Sequence, residues 1–389
     1  MMKGSKVARF RNLLAVTAIG ALALTACSGG AESPGADDGG ATTAKIGVFL
    51  PLTGENADNG QQIEKALEFY VEEYNKGDHK HKIELVTRDD RGEPKTATNI
   101  AREFAEDDNI VAAVGSFTST AAMAAAPIFD KAGIPQISPT SSHPDFTGLG
   151  KYVFRGTPTQ DKEATLIAEY LKDDMGTAEA ATIYRQDDWG NSAAEQFKNG
   201  FTEAGGKVSK EEAVSPESRD FRTLVTSLKS SGNDSTYLAL QYSEAAVLAQ
   251  QMMASAWSPT VITATSLYTH ELIDLAGPEA VEGWMVPAFF FAESTEPNVK
   301  NFVDGFEEKF GVKPNAHGAA GYDSISMIGA ALDEIEAVGK DGRTALGDAL
   351  FKTEIDGATG HIQFDEKGDV EKEITWLVVR DGEFEVVGK

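Results

Sequence analysis

What most limits this chain is an alternation. From Lys45 onward, short apolar or β-branched runs take turns with stretches whose apolar residues recur at helical period. That order predicts an α/β fold of parallel sheets built from right-handed strand–helix–strand units. The first series gives strands over 46–50, 83–87, 110–115 and 134–137, with helices over 61–74, 95–106 and 119–131 between them. In the first helix Ile63, Ala66, Leu67, Tyr70 and Val71 fall on one face. A second series starts after the stretch 152–158, with helices over 159–172, 193–204, 221–230 and 244–254 and strands over 181–184, 207–211, 237–240 and 260–264. Two open sheets are implied. The last hundred residues break the pattern: a strand within 283–291, helices from Asn298, Ala319 and Arg343, and a hairpin-like tail over 374–380 and 383–387. A tail that returns to an earlier sheet makes the lobes discontinuous and joins them by several crossings.

With 41% hydrophobic and 25% charged residues, the 389-residue chain has apolar material for one large or two medium domains and is neither disordered nor fibrous. Its 35 Lys and Arg against 61 Asp and Glu leave a net charge of -26, which repels phosphate backbones and argues against nucleic-acid binding. The single cysteine excludes an intrachain disulfide framework, a Cys-x-x-Cys redox pair and a multi-thiolate zinc site.

That cysteine, Cys27, closes a leader. Lys3, Lys6, Arg9 and Arg11 precede an apolar run over 13–24, the pattern of a secretory signal peptide. The run is too short to span a hydrocarbon core of about 30 Å as a helix. It ends Leu24-Thr25-Ala26-Cys27, which resembles the lipobox of bacterial lipoproteins. The resemblance implies cleavage of residues 1–26 and a diacylglycerol on Cys27, and two or more acyl chains anchor a protein stably. Residues 28–43, rich in Gly, Ser, Ala and Asp, then read as a flexible tether. The expected location is the cell envelope, on the outer face of the cytoplasmic membrane.

The body lacks a Gly-x-Ser-x-Gly elbow, a phosphate-binding Gly-x-x-x-x-Gly-Lys loop and a Gly-x-Gly-x-x-Gly turn, so hydrolase, triphosphatase and dinucleotide readings lack their mechanical parts. Ser119 with one of the scattered histidines is the only start for an exported hydrolase. His79 and His81 read as a solvated loop rather than a metal pair, and 365–369 as an exposed turn rather than a calcium loop. No metal and no cofactor is implied. What stands out are hydroxyl-rich loops after strands, Gly115-Ser116-Phe117-Thr118-Ser119-Thr120 and Ser138-Pro139-Thr140-Ser141-Ser142. In open α/β sheets ligands bind beyond the carboxyl ends of strands, where helix N-termini offer unpaired N–H groups to an anion. Ser and Thr also serve there as ordinary caps and turns. Trp189 and Tyr242, after strands of the second series, are candidates for the opposite wall, with core packing as the alternative.

The strings Ile46-Gly47-Val48-Phe49-Leu50-Pro51-Leu52-Thr53-Gly54, Gly115–Ser119, Gly133-Ile134-Pro135-Gln136-Ile137-Ser138-Pro139, Phe154-Arg155, Asp188-Trp189-Gly190, Asp220-Phe221, Gly321-Tyr322-Asp323 and Phe364–Asp369 occur in that order. Together, over 44–389, they resemble the leucine/isoleucine/valine-binding type of extracellular solute-binding protein. The resemblance implies two doubly wound lobes joined by three hinge crossings, 44–157 plus 287–357 and 158–286 plus 358–389. It implies no catalysis but capture of a small solute, most simply a branched-chain or related amino acid, by a monomer that delivers it to the permease and ATPase of an ABC importer. A same-fold sensor and a receptor for an amide or urea-like solute are the alternatives. By the same resemblance Ser119, Ser141 through its backbone, and Ser142 hold the ligand carboxylate, and Trp189 closes over the ligand's side chain or backbone. Three positions depart from the family: a first-loop aromatic falls on Asn59, the tyrosine that meets the α-ammonium on Gln241 beside Tyr242, and its acidic partner on Thr265. A buried ammonium without a carboxylate is costly, and Glu244, Glu271 and Asp323 are the possible substitutes.

Overall fold

The computed structural model describes residues 42–216 and 218–388; the leader, Cys27 and the tether up to residue 41 lie outside the described residues. The first series folds as β1 (Thr42–Leu50), α1 (Ala57–Lys76), β2 (His81–Asp89), α2 (Pro94–Glu106), β3 (Ile110–Gly115), α3 (Ser119–Ala132), β4 (Gln136–Ser138) and β5 (Val153–Arg155). Its five strands are parallel in the order β2-β1-β3-β4-β5. Every residue of β3 is buried, as a central parallel strand covered on both faces requires. The strand β1 starts earlier than the sequence suggests: Thr42 and Thr43 pair with His81 and Lys82, so the end of the expected tether belongs to the sheet.

The second series runs α4 (Gln160–Glu169), β6 (Glu179–Arg185), α5 (Asp188–Glu203), β7 (Lys207–Val214), α6 (Arg222–Ser230), β8 (Ser235–Ala239), α7 (Tyr242–Ala254), β9 (Thr260–Thr263), α8 (His270–Ala276), α9 (Pro278–Val281) and β10 (Met285–Ala288). The chain then adds α10 (Pro297–Phe310), α11 (Ala316–Leu332), α12 (Arg343–Leu350), the hairpin β11 (Glu354–Gly357) and β12 (Gly360–Gln363), and the tail β13 (Thr375–Arg380) and β14 (Glu383–Val386). The second sheet has the order β14-β13-β10-β9-β8-β6-β7, with the tail hairpin antiparallel on β10. At its far edge β7 alternates exposed and covered positions, the pattern of a strand with one wet face.

These are two α/β lobes crossed three times by the chain, between β5 and α4, between β10 and α10, and ahead of β13. The second crossing falls slightly later than expected, because Pro287 and Ala288 still pair with Trp376 and Thr375. The third falls later still: Ile362, Phe364 and Val370 pack in the core of the first sheet, with Ile46, Val48 and Val114. The helix α11 is apolar nearly all round since it is buried on most faces, and Asp323 on it accepts the Ala358 and Thr359 amides at 2.6 and 2.9 Å, seating the turn of the β11–β12 hairpin. A Cβ on Gly357 would stand 2.3 Å from that carboxylate, so the approach needs glycine.

His79 lies in the half-exposed loop before β2, whereas His81 is not in a solvated loop. His81 is buried at the start of β2 between Thr42 Oγ1 at 2.6 Å and the Ile335 carbonyl at 3.0 Å, and His79 stacks on Tyr74 and meets Asp333 at 2.8 Å. The turn 365–369 is exposed at its tip but anchored at its end. Arg155, fully buried at the end of β5, donates from Nε to Asp369 at 2.6 Å and from its Nη atoms to the carbonyls of Ser141, His143 and Pro144. One guanidinium thereby fixes the loop after β4 to the segment that leads into the third crossing. Replacing it strands a carboxylate and three carbonyls, so Arg155→Met is expected to lower the unfolding free energy by about 3–5 kcal/mol in urea titrations. A loss below about 1 kcal/mol would remove Arg155 from this role.

Candidate ligand-binding site

A cleft between the lobes collects the ends of β3, β4, β6, β8 and β9 on its walls and all three crossings on its floor: Gly156 and Thr157 from the first, Phe289 and Phe290 from the second, Lys372 from the third. Its empty volume, counting the solvent at the mouth, is about 790 Å³.

The first-lobe wall is the N-terminus of α3. Thr118 caps it, its hydroxyl accepting the Ala121 amide at 3.3 Å, so the amides of Ser119 and Thr120 have no partner within the helix. Ser119 is 2% exposed and lines the cleft, as do Ser142, Thr140 and Phe117. Ser141 stands behind them. Its amide, expected to meet the ligand, instead donates to Ser138 Oγ at 3.0 Å, and its hydroxyl donates to Ser119 Oγ at 3.2 Å, which aims Ser119 at the cleft. Among the described residues the side-chain partner of the Ser119 hydroxyl is thus another serine rather than a histidine.

The second-lobe wall carries Trp189, Gln241 and Thr265, three of the positions singled out from sequence, together with Asp187 and Ser266. Asp187 caps α5: one oxygen accepts the Gly190 amide and the other Arg185 Nε, both at 2.8 Å. A Cβ on Gly190 would lie 2.0 Å from the Arg185 carbonyl, which fixes glycine after Trp189. The Thr265 amide donates to the buried carboxyl of Glu163 at 2.8 Å, and burial raises the Glu163 pKa. Tyr242 does not line the cleft. Its hydroxyl donates to Asp58 at 3.0 Å and meets the Glu55 carbonyl at 3.1 Å, so it ties the lobes rather than touching solute. Asn59 also stands one layer back, fully buried, its Oδ1 accepting from Asn315 at 3.1 Å and from His317 Nδ1 at 3.1 Å.

None of the three substitute acids reaches the wall. Glu244 is held at 2.8 Å by Arg185, Glu271 by Thr269, and Asp323 by the hairpin amides. The same Arg185 reaches across to Glu55 of the first lobe at 3.0 Å, and Arg219 meets Glu55 at 3.0 Å. Burial pushes Glu244 up to about 7 against the pull of Arg185. For the less buried Glu55, the Arg185 charge and hydrogen bonds outweigh burial and lower the pKa. Among the described residues Asp187 is the one carboxylate of the cleft wall and Lys372 its one lysine or arginine. Sequence reasoning missed Lys372, Thr359, Phe289, Phe290 and His317, since the crossings and the start of α11 carry no motif and meet only through the topology.

His317 packs edge-on against Phe117 and is buried enough to bring its pKa down to about 4. Asn59 Oδ1 accepts from it, so we assign the proton to Nδ1. A histidine neutral when folded and titrating near 6.5 when unfolded means that the unfolded chain binds more protons between the two values. Its contribution to stability is present above about pH 6.5 and is lost as pH falls toward 4. We expect His317→Gln to remove up to about 3 kcal/mol of the acid-side decline in unfolding free energy between pH 7 and 4. An unchanged pH slope would show that His317 is not held neutral.

Nearly all of the described body has known counterparts. A model of the periplasmic binding protein family matches residues 43–382. The Leu/Ile/Val-binding protein homolog 1 of Brucella suis is 29% identical over 337 residues, covering 83% of this chain and 86% of that protein. Among solved structures, a leucine-binding protein from Thermotoga maritima superposes with a TM-score of 0.82 at 26% identity, covering 88% of this chain and 97% of the other. An ABC transporter substrate-binding protein from Desulfitobacterium hafniense in complex with Leu does so at 0.75 and 25%, covering 89% and 100%. With a two-lobed α/β fold, a cleft floored by three crossings and a family match that spans nearly all of its body, the chain belongs to the periplasmic binding protein family.

Proposed function

We propose that this protein is the extracytoplasmic solute receptor of an ABC importer and that it clamps a small carboxylate-bearing solute between its lobes. The observation that carries the reading is the seat at the N-terminus of α3. The Ser119 amide, free of any helical partner, and the Ser119 and Ser142 side chains line the cleft at the start of α3, bordered by Thr140, whose hydroxyl donates to the Phe117 carbonyl at 2.6 Å, and a helix N-terminus favours negative charge there. Trp189 and the second-lobe wall stand on the other side of the same cleft, so a solute that touches both walls favours the closed arrangement by its differential affinity for it. The names of the relatives, which speak of Leu, Ile and Val, make an amino acid the first candidate. Nothing in this role requires catalysis or a cofactor, and a monomer suffices for it.

The sequence supports lipid anchoring at Cys27, with the body carried on the outer face of the membrane by a short tether. No helix of the described residues is long and apolar enough to cross a membrane. Cys27→Ala is expected to move the protein from the membrane fraction to the soluble fraction and to abolish incorporation of labelled fatty acid. Unchanged labelling would dispose of the anchor.

Solute binding is tested on the purified protein after unfolding and refolding to strip bound solute. A ligand at 100 times its Kd should add about 2.7 kcal/mol, readily visible as a thermal shift. Removing one hydrogen bond to a carboxylate costs about 1.5–3 kcal/mol, so Ser119→Ala should weaken binding at least tenfold by calorimetry. A carboxylate ligand bound equally well by Ser119→Ala would show that the seat lies elsewhere.

A further inference from the structure

Lys372 has no counterpart in the site as read from sequence, and its surroundings are unusual for a lysine. Lys372 is half-buried and lines the cleft, in surroundings dense enough with protein for burial to bring its pKa down to about 8. Among the described residues its one hydrogen-bond partner is Thr359 Oγ1, at 2.5 Å. That hydroxyl donates in turn to Asp323, which also accepts two backbone amides. No carboxylate lies within ion-pair distance of Lys372 among the described residues. Lys372 also borders a second groove, lined among others by Asp161, Glu163 and Glu169 of α4 and by Glu371, and several of the charged groups around it have other partners. Asp323 on α11 stands behind Thr359, Glu163 on α4 accepts the Thr265 amide, the adjacent Glu371 pairs with Lys162, Asp187 across the cleft pairs with Arg185, and His317 on α11 is neutral. An ammonium with three donors and one neutral partner, on a lysine that lines a site, is complementary to an acidic oxygen.

We infer that Lys372 and Thr359 form a second anchoring subsite and that the solute is a dicarboxylic acid, with or without an α-amino group, one carboxylate resting on the N-terminus of α3 and the other on Lys372. The inference rests on the receptor reading and narrows its ligand. An aliphatic side chain at this floor would strip water from the ammonium and return nothing to it, whereas a carboxylate replaces the lost water with a charge-assisted hydrogen bond. Asp187 is compatible with either form of the solute, because each of its oxygens has a second lone pair toward which an α-ammonium can donate. The anchor also sits on a crossing, so occupying it ties the ligand to the segment that bends when the lobes move.

The experiment is calorimetry of the refolded, stripped protein with glutamate, glutarate and leucine, on the wild type and on Lys372→Met, Lys372→Gln, Thr359→Val and Ser119→Ala. Glutamate or glutarate should bind the wild type, and both lysine variants should bind it at least tenfold more weakly. Affinity should also fall by up to tenfold per pH unit above about 8 in the wild type, as Lys372 loses its proton, and stay flat there in Lys372→Met. The wild-type profile serves even if a variant fails to fold. Leucine bound by the wild type and by Lys372→Met alike, lost in Ser119→Ala, with neither diacid bound, would overturn the inference and leave the receptor standing. A protein that binds none of the three acids refutes the inference and, if a neutral amide binds it instead, the carboxylate seat as well.

Discussion

One guanidinium decides how the two lobes meet. Arg185 leaves the end of β6 and gathers three carboxylates: Asp187 two residues along, Glu244 from the first turn of α7 and Glu55 from the first lobe. A lone buried arginine in that position would be costly, and so would any of the acids without it. The arrangement therefore makes contact with Glu55 a condition of satisfying the second-lobe cluster, with Arg219 and Ser243 adding bonds to the same carboxylate. Asp187 is left on the cleft wall with its charge offset, and Glu244 is withdrawn from the cleft altogether. The acid that a branched-chain amino acid would need is thus not recovered from the three substitutes, because each already satisfies another part of the fold.

The cleft owes its floor to topology. The chain crosses between lobes three times, and each crossing contributes a side chain or a backbone turn to the same cavity. Arg155 holds the geometry of two of them. It bonds the loop that carries Ser141 and Ser142 and, through Asp369, the stretch that leads to Lys372. A rigid link between the carboxylate seat and the third crossing means that a change in either is felt at the other, which is a mechanical basis for closure on a ligand that touches both.

Much of this was legible in the sequence where a single period decides the structure. The run Ile110–Gly115 is apolar throughout and became the buried centre of the first sheet, and the loop after it places Ser119 at a helix start, as strand–loop–helix order requires. Trp189, Gln241 and Thr265 lie where the second series puts its loop ends. What failed to show was short or remote. The strand Val153–Arg155 and the hairpin Glu354–Gly357 with Gly360–Gln363 are too brief for periodicity to register, and α8 is barely two turns. Tyr242 and Asn59 were misplaced by one layer for a different reason. Both have polar groups that bond across elements far apart in sequence, Tyr242 to Asp58 and Asn59 to Asn315 and His317, and no local pattern announces such partners.

Specificity follows from which polar groups remain to be satisfied. At Thr265 the side chain is small and its amide is spent on Glu163, so that part of the wall offers a solute no charge. Trp189 and Phe290 contribute apolar surface, which rewards area but discriminates weakly between similar solutes. Discrimination comes from groups that would be stranded by the wrong ligand, since a buried donor left without an acceptor costs more than a mismatched methylene. In this cleft those donors are the Ser119 amide at the start of α3 and the ammonium of Lys372, and both call for oxygen. The cleft therefore selects by the number and placement of acidic oxygens more than by the shape of an aliphatic side chain.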